Sequence, residues 1–391
     1  MFFNSVPQYV QSTLRRLENH GFEAYLVGGC VRDLLLGKRP HDWDICTSAR
    51  PENTMEIFPK NRPTGIKHGT VTVRVHGRDL EVTSFRSDGQ YLDNRHPSSV
   101  SFVSDINQDL LRRDFTMNAI ACPLEGKLCD PFHGQEDIKR KLIRCVGDPC
   151  KRFSEDSLRM LRALRFSAVL GFEIEDKTKQ AIIDCSSLSS SLAAERISTE
   201  LEKTLLSPNP QKAADMVSLG LLSAIPSLSP VNSDFSSLAL LPKKSLLRFA
   251  GMCAILLRDG AIKDPALFLK ELRRPALYIK AISRGIDISF SHPHKDYTQW
   301  KRILSHSGLE TSACAAAVSD IFYGKGHLDA LKIALNSGEC FSIKELAING
   351  DDLKNAGYKG TEIGNTLNIL LNHVIDNPED NKKEILLKLL K

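Results

Sequence analysis

The sequence predicts an α+β protein: a mixed sheet with packed helices, followed by an all-helical remainder. Two observations predict it. Short β-prone runs bounded by Gly, Pro, Asp or Arg are confined to about the first 120 residues. From Glu155 onwards apolar residues recur at intervals of three and four, the spacing of amphipathic helices, and no strand is expected beyond about Cys145.

In chain order, EAYLVGG, HDWDICT, TVTVRV and LEVTSF read as strands. Cys30–Gly37 reads as a short helix stopped by glycine. RRDFTMNAIA, from Arg112 to Ala121, reads as the polar start of a helix that turns apolar. EDSLRMLRALRFSAVLGF, ISTELEKTLL, KSLLRFAGMCAILL and NKKEILLKLL read as helices. Ser223–Lys243 and Ser291–Asp296, with their Pro and Ser content, are candidate linkers.

At 391 residues the chain has room for two to four domains, and its net charge of +5 permits a nucleic-acid partner without requiring one. None of the ten cysteines forms a CxxC pair, so neither zinc nor a redox motif is indicated. The N-terminal segment reads as a polar-faced helix, not a signal peptide. No apolar run approaches the roughly 18 residues of a membrane helix. A cytoplasmic protein with free thiols and no membrane association is expected.

Chemistry enters with Asp42 and Asp44. In a strand, residues two apart face the same way, so both carboxylates project together while Trp43 and Ile45 turn to the other side. Two adjacent carboxylates repel unless a cation joins them, and oxygen donors suit Mg²⁺. A lone DxD also describes two solvated acids on an edge strand. The preceding LVGGCVRDLLLG sharpens the reading, because a strand, the Gly28–Gly29 turn and a helix present backbone amides to a triphosphate. Glu81, in LEVTSF, is the candidate third carboxylate, although an exposed hairpin acid would look the same.

A second group offers nucleotide contacts. In RRDFTMNAIA, Arg112 or Arg113 suits phosphate and Asp114 a ribose hydroxyl, with Asn118 four residues on and so on one helical face with Asp114. A capped helix with Asp at its N-cap would look similar. In RFSEDSLRMLRALRF, Asp156 and Arg159 stand at i and i+3, and Glu155 and Arg159 at i and i+4. An acceptor beside a donor matches the N6/N1 edge of adenine and the N4/N3 edge of cytosine. Guanine and uracil present the opposite order. A buried mismatch costs several kcal/mol, on the order of a thousandfold in selectivity. An ordinary surface salt-bridge trio remains the alternative for these three residues taken alone.

Together, LVGGCVRDLLLG with HDWDICT, RRDFTMNAIA, DPFHGQEDIKRKLIRCVGDP, RFSEDSLRMLRALRF and ERISTELEKTLL resemble the class II tRNA nucleotidyltransferases (CCA-adding enzymes) and the related bacterial poly(A) polymerases, in family order over residues 20 to 210. The resemblance implies a polymerase-β-like nucleotidyltransferase head at 1–145, a helical neck with the base-reading motif at 146–215, a body at 216–300 and a tRNA-binding tail at 301–391. It implies that Asp42 and Asp44 are catalytic and hold two Mg²⁺ ions, with Gly28, Gly29 and Arg32 at the triphosphate. Arg113, Asp114 and Asn118 then fall on the ribose and nucleotide motif. Glu155, Asp156 and Arg159 fall on the base-reading motif, with Glu155 orienting the arginine. It further implies phosphate contacts for Arg162 and Arg165 and a bracing role in the neck for Glu195 and Arg196. The implied partners are tRNA, ATP and CTP, with no obligate protein partner.

Arg86–Val103 resembles the family loop linked to the switch from C to A addition, which argues against a CC-only enzyme and leaves full CCA and A-only addition open. The last 50 or so residues resemble the tail of the tRNA-directed members, and the long basic extension usual in bacterial poly(A) polymerases is not seen. The long helical C-terminal half argues for a polymeric acceptor, against a small-molecule nucleotidyltransferase. The intact Asp42–Asp44 pair argues against a catalytically silent RNA-binding protein. His292 and His294, beside Pro293, read as surface residues and not as a phosphohydrolase metal motif.

Overall fold

In the computed structural model, which describes residues 6–89, 99–292 and 296–390, the chain folds as two compact units. The first comprises 1–204 and 215–224; the second comprises 205–214 and 225–391.

The first unit is built on a six-stranded sheet in the order β3-β4-β5-β2-β1-β8. Its strands are β1 Ala24–Val27, β2 Asp44–Thr47, β3 Asn61–Gly65, β4 Thr70–Val75, β5 Arg78–Ser84 and β8 Ala121–Pro123. Only β2 and β5 run parallel, in a register that places Asp44 opposite Glu81 and Ile45 opposite Val82. The β4–β5 hairpin turns through His76 and Gly77, both at positive φ, as a tight antiparallel turn demands. Helices α1 Gln8–Asn19, α2 Gly29–Leu35, α3 Pro51–Ile57, α4 Ile106–Leu111 and α5 Gly134–Arg140 accompany the sheet. One core cluster joins Val27 and Cys46 of the sheet to Phe85, Ile106, Leu110 and Val146.

A short ladder pairs β6 Arg86–Asp88 with β7 Val100–Phe102. The rest of the predicted switch loop, residues 90–98, lies outside the described residues, as do 293–295 of the Ser291–Asp296 linker, His294 included. After β9 Leu142–Ile143 come α6 Pro149–Glu155, α7 Leu158–Leu170, β10 Glu173–Ile174, α8 Asp176–Asp184 and α9 Ala194–Leu205. Strand β10 pairs with β9 and corrects the expectation of no strand beyond Cys145. Two residues are too short a run to leave a period-two signal.

RRDFTMNAIA is not an α-helix. Arg112 ends α4, Phe115 bridges to Cys145, Thr116–Asn118 form a single 3-10 turn, and β8 then closes the sheet against β1. A continuous apolar run reads alike as buried strand or buried helix, which is why the sequence misled here.

Helix α10, Ala213–Ser218, lies at the division between the units. The second unit is helical among its described residues: α11 Ser245–Arg258, α12 Pro265–Glu271, α13 Ala276–Ser291, α14 Tyr297–Phe322, α15 His327–Asn336, α16 Gly350–Asn355, α17 Thr361–Asp376 and α18 Lys383–Lys388. Gly308, at φ 76°, interrupts α14. The Ser223–Lys243 segment is packed and not a free linker, since it buries Ile225, Leu228, Phe235, Leu238 and Leu241. A separate cluster of Leu353, Leu370, Leu371, Val374, Ile375 and Leu386 forms the core of the last helices.

Candidate active site

Strand β1 feeds directly into the turn at Gly28, which holds φ 73° and ψ −135°. That conformation is open only to glycine, and a Cβ there would stand 3.2 Å from Nη1 of Arg113 and 3.7 Å from Oδ2 of Asp44. The turn therefore lets the backbone pass close beneath a guanidinium and a carboxylate. Helix α2 starts at Gly29, so its first amides point out at this place.

Asp44 opens β2, with Trp43 and Ile45 buried on the other side. Asp42 lies just before the strand, not within it. Burial raises the carboxyl of Asp44 above its ordinary range; the Arg113 guanidinium opposes that shift, and Glu81 and Asp42 add to it. Such a concentration of negative charge favours a bound cation. Among the described residues, no group of three His, Cys, Asp or Glu side chains forms a complete metal cage. Two carboxylates supplemented by substrate phosphates and water fit Mg²⁺, which keeps several waters and seldom takes an all-protein cage.

Two cavities meet at these acids. One, of about 660 Å³, is lined by Gly28, Gly29, Arg32, Arg113, Asp114, Asn118, Asp156, Arg159, Arg162 and Arg165 together with Asp42 and Asp44. The other, of about 870 Å³, has Asp42 and Asp44 in its wall with Tyr9, Thr72, His76, Arg78 and Glu81. The structure thus brings all but two of the sequence-predicted residues to the first cavity; Glu81 faces the second, and Glu155 stands behind Arg159.

Within the first cavity the guanidinium groups are anchored from behind. Nη1 of Arg32 donates to Asn118 Oδ1 at 3.0 Å, and its other nitrogens donate to Asp33. Asn118 Nδ2 donates to Asp114 Oδ1 at 3.3 Å, a contact made by the 3-10 turn and not by a helical face. Asp114 Oδ2 accepts from Nε of Arg162 at 2.8 Å. Burial alone would raise the Asp114 carboxyl, but the Arg162 guanidinium, Arg159 and the Phe115 amide together hold the group at about 2.

The base-reading group is not one helix. Asp156 is extended, at φ −147° and ψ 102°, and separates α6 from α7. Its Oδ1 accepts from the Leu158 amide at 3.1 Å, as a cap does. Asp156 and Arg159 are joined by the first turn of α7, the Arg159 amide donating to the Asp156 carbonyl at 3.0 Å, while Glu155 belongs to α6. Arg159 Nη1 donates to Glu155 Oε2 at 2.9 Å, and its Nη2 to the Arg112 carbonyl at 3.0 Å. Asp156 is gripped by Arg196, whose Nη1 and Nη2 donate to its two oxygens at 3.1 and 2.8 Å. Arg196 also lines the cavity, which adds orientation of Asp156 to the bracing role expected of it; Glu195 is exposed.

Sequence reasoning passed over several of these partners. Lys203 lines the cavity, and Glu200, 4% exposed, accepts from Nε of Arg165 at 2.5 Å. Arg196, Glu200 and Lys203 are spaced at i, i+4 and i+7, a single helical face in ERISTELEKTLL that was available to reading. Asp109, fully buried, accepts from Arg112 and Arg113 at 2.7 and 3.0 Å and from the Arg86 amide at 3.4 Å. Burial alone would raise Asp109, yet the two guanidinium groups hold its carboxyl below the usual range. No membrane-length apolar helix occurs among the described residues.

Comparison with known proteins matches residues 24–144 to the model described as "Poly A polymerase head domain", and residues 253–390 to a second domain of tRNA nucleotidyltransferases. A CCA-adding enzyme of Geobacillus sp. strain WCH70 is 40% identical over 383 residues, covering 95% of this chain and 93% of the relative. One of Limosilactobacillus fermentum is 39% identical over 96% of this chain and 94% of its own length. The crystal structure of the Bacillus stearothermophilus CCA-adding enzyme in complex with CTP superposes with a TM-score of 0.80 at 34% identity, covering 98% of this chain and 96% of that one. An α+β head carrying this site, ahead of a helical remainder and joined to such likeness along nearly the whole chain, places the protein in the CCA-adding enzyme family of tRNA nucleotidyltransferases.

Proposed function

We propose that this chain adds C, C and A, from CTP and ATP, to the 3′ end of tRNA in the cytoplasm, releasing pyrophosphate at each step. The observation that carries the reading is the position of Asp42 and Asp44 in a wall common to two cavities. A nucleoside triphosphate in the arginine-lined cavity and an RNA 3′-hydroxyl in the other would meet at those acids. The RNA oxygen attacks the α-phosphorus, the bond to the bridging oxygen breaks, and pyrophosphate departs towards the basic side.

Asp42 and Asp44, with Glu81 opposite in register, are the residues that would hold two Mg²⁺ ions. When bound, such ions activate the attacking oxygen and neutralise the leaving group. The Gly28–Gly29 turn and Arg32 receive the triphosphate, and Arg113, Asp114 and Asn118 hold the ribose and adjoining phosphate. Asp156 accepts from the exocyclic amine of C or A while Arg159 donates to the ring nitrogen, and Glu155 keeps Arg159 in place. Arg162 and Arg165 add phosphate contacts. Residues 1–145, 146–215, 216–300 and 301–391 serve as head, neck, body and tRNA-holding tail. The relatives that span nearly the whole chain are named for CCA addition, and the superposable structure carries CTP, which favours full CCA addition over A-only addition or poly(A) synthesis.

Two labelled tRNA transcripts test the proposal, one ending at the discriminator base and one in CC, each incubated with CTP, ATP or both and Mg²⁺. Completion of both to CCA followed by arrest is the expected result. A single A added only to the CC-ended transcript would make the protein an A-adding enzyme instead, and unlimited A addition would make it a poly(A) polymerase.

A further inference from the structure

Phe166 of α7 is surrounded by cations. Its ring centroid lies 3.9 Å from the Arg165 guanidinium carbon and 5.3 Å from those of both Arg32 and Arg162. All four residues line the 660 Å³ cavity. The ring is 6% exposed and is held from one side by Phe115, edge-on at 5.8 Å. Three like charges gathered in one small space repel, and two compensations are visible. Each guanidinium is tied at its far end to one carboxylate: Arg32 to Asp33, Arg162 to Asp114 and Arg165 to Glu200. At the near end all three approach a single aromatic ring, whose electron-rich faces attract cations.

An aliphatic side chain of similar size would fill the space but would offer no quadrupole. From this arrangement we infer that Phe166 is a positioning residue, whose ring sets Arg32, Arg162 and Arg165 as one array towards the phosphates of the incoming nucleotide. The inference rests on the nucleotidyltransferase reading above. The ring touches neither substrate nor reacting atoms; it acts through the three arginines. Because each is held between an acid and the ring, the array is set before the nucleotide arrives, and little ordering remains to oppose binding. The effect belongs to the triphosphate common to CTP and ATP, so both nucleotides must feel it equally while base choice stays unchanged.

The test replaces Phe166 in the full-length protein with phenylalanines carrying one, two, three and five ring fluorines. These weaken and finally reverse the quadrupole with little change in ring volume. Dissociation constants for CTP and ATP are measured on the protein without RNA, alongside thermal stability, and KM and kcat on tRNA ending in CC. Stepwise weakening of CTP and ATP together is expected, reaching roughly tenfold at five fluorines, with the melting temperature nearly constant and the change in KM larger than in kcat. Phe166→Leu, with no quadrupole, should match the middle of the fluorine series and stay tighter than the five-fluorine protein, and Phe166→Trp should bind at least as well as the three-fluorine protein. Unchanged affinity across the fluorine series, in a protein that binds CTP normally, overturns the positioning role and leaves Phe166 as packing. Failure of the unaltered protein to bind either triphosphate overturns the nucleotidyltransferase reading and this role together.

Discussion

Arg196 of α9 holds both oxygens of Asp156, at 3.1 and 2.8 Å, while the neighbouring Arg159 is held by Glu155. The acceptor and the donor offered to a base are thus each fixed by a separate partner of opposite charge. Replacing Arg196 by Ala would free Asp156 to turn away from the base. Discrimination of CTP and ATP against GTP and UTP should fall by roughly tenfold, the scale of one lost half-buried charged hydrogen-bonding partner. Ratios of kcat/KM for correct and incorrect nucleotides measure this. An unchanged ratio would leave Arg196 a brace of the neck only.

Gly28 offers a prediction about the phosphate turn. Its φ of 73° strains any side chain, and a methyl group there would stand 3.2 Å from Arg113, which would have to give way by a few tenths of an ångström. In Gly28→Ala the strained turn, costing about 1–3 kcal/mol, must shift Arg113 or the start of α2. KM for both nucleotides should rise at least tenfold while circular dichroism stays the same. Unaltered KM would show that the turn does not cradle the triphosphate.

Asp109 predicts a loss of stability. Its carboxylate is fully buried and satisfies Arg112 and Arg113 at once. Asp109→Ala leaves both guanidinium groups short of a buried partner and should cost about 3–5 kcal/mol in denaturant unfolding. A change below about 1 kcal/mol would mean that the arginines find other partners at little cost.

Asp114 gives a pH dependence whose sign is fixed. Its folded value, about 2, lies below the ordinary 3.8, so the stabilisation from pairing with Arg162 is complete above 3.8 and is lost as pH falls through 2. Asp114→Asn should therefore be less stable than the unaltered protein by about 2 kcal/mol at every pH above 4. That gap should narrow as the pH falls towards 2. A gap that widens on acidification would refute the ion pair as its source.

Much of this site was legible because its logic is local. The alternation of Asp42, Trp43, Asp44 and Ile45 survives almost unaltered at the mouth of β2, and the Gly-Gly turn ahead of α2 has the conformation its residues suggest. What failed was long-range or irregular. Strand β8 is three residues inside an apolar run, and nothing local distinguishes it from a helix. The break at Asp156 has no Pro or Gly to announce it; tertiary contacts with Arg196 accompany it. Asp109 and Glu200 look like any helix acid until the fold buries them beside arginines far along the chain or one turn away. Phe166 already has Arg162 and Arg165 beside it on α7, and its third cation, Arg32, appears only once α2 and α7 are brought together.

Nucleotidyl transfer at this site depends on the acids shared by the two cavities. The decisive measurement is single-turnover addition of C to a labelled tRNA lacking its terminus, with Asp44→Asn and Asp42→Asn each compared with the unaltered protein and with tRNA and CTP affinities determined in parallel. The account predicts that both variants bind tRNA nearly normally yet add nucleotide at least a thousandfold more slowly, the scale of losing metal-assisted transition-state stabilisation. Addition within about tenfold of normal by either variant would contradict it, because the reacting oxygen and phosphorus would then have to meet somewhere other than at these carboxylates.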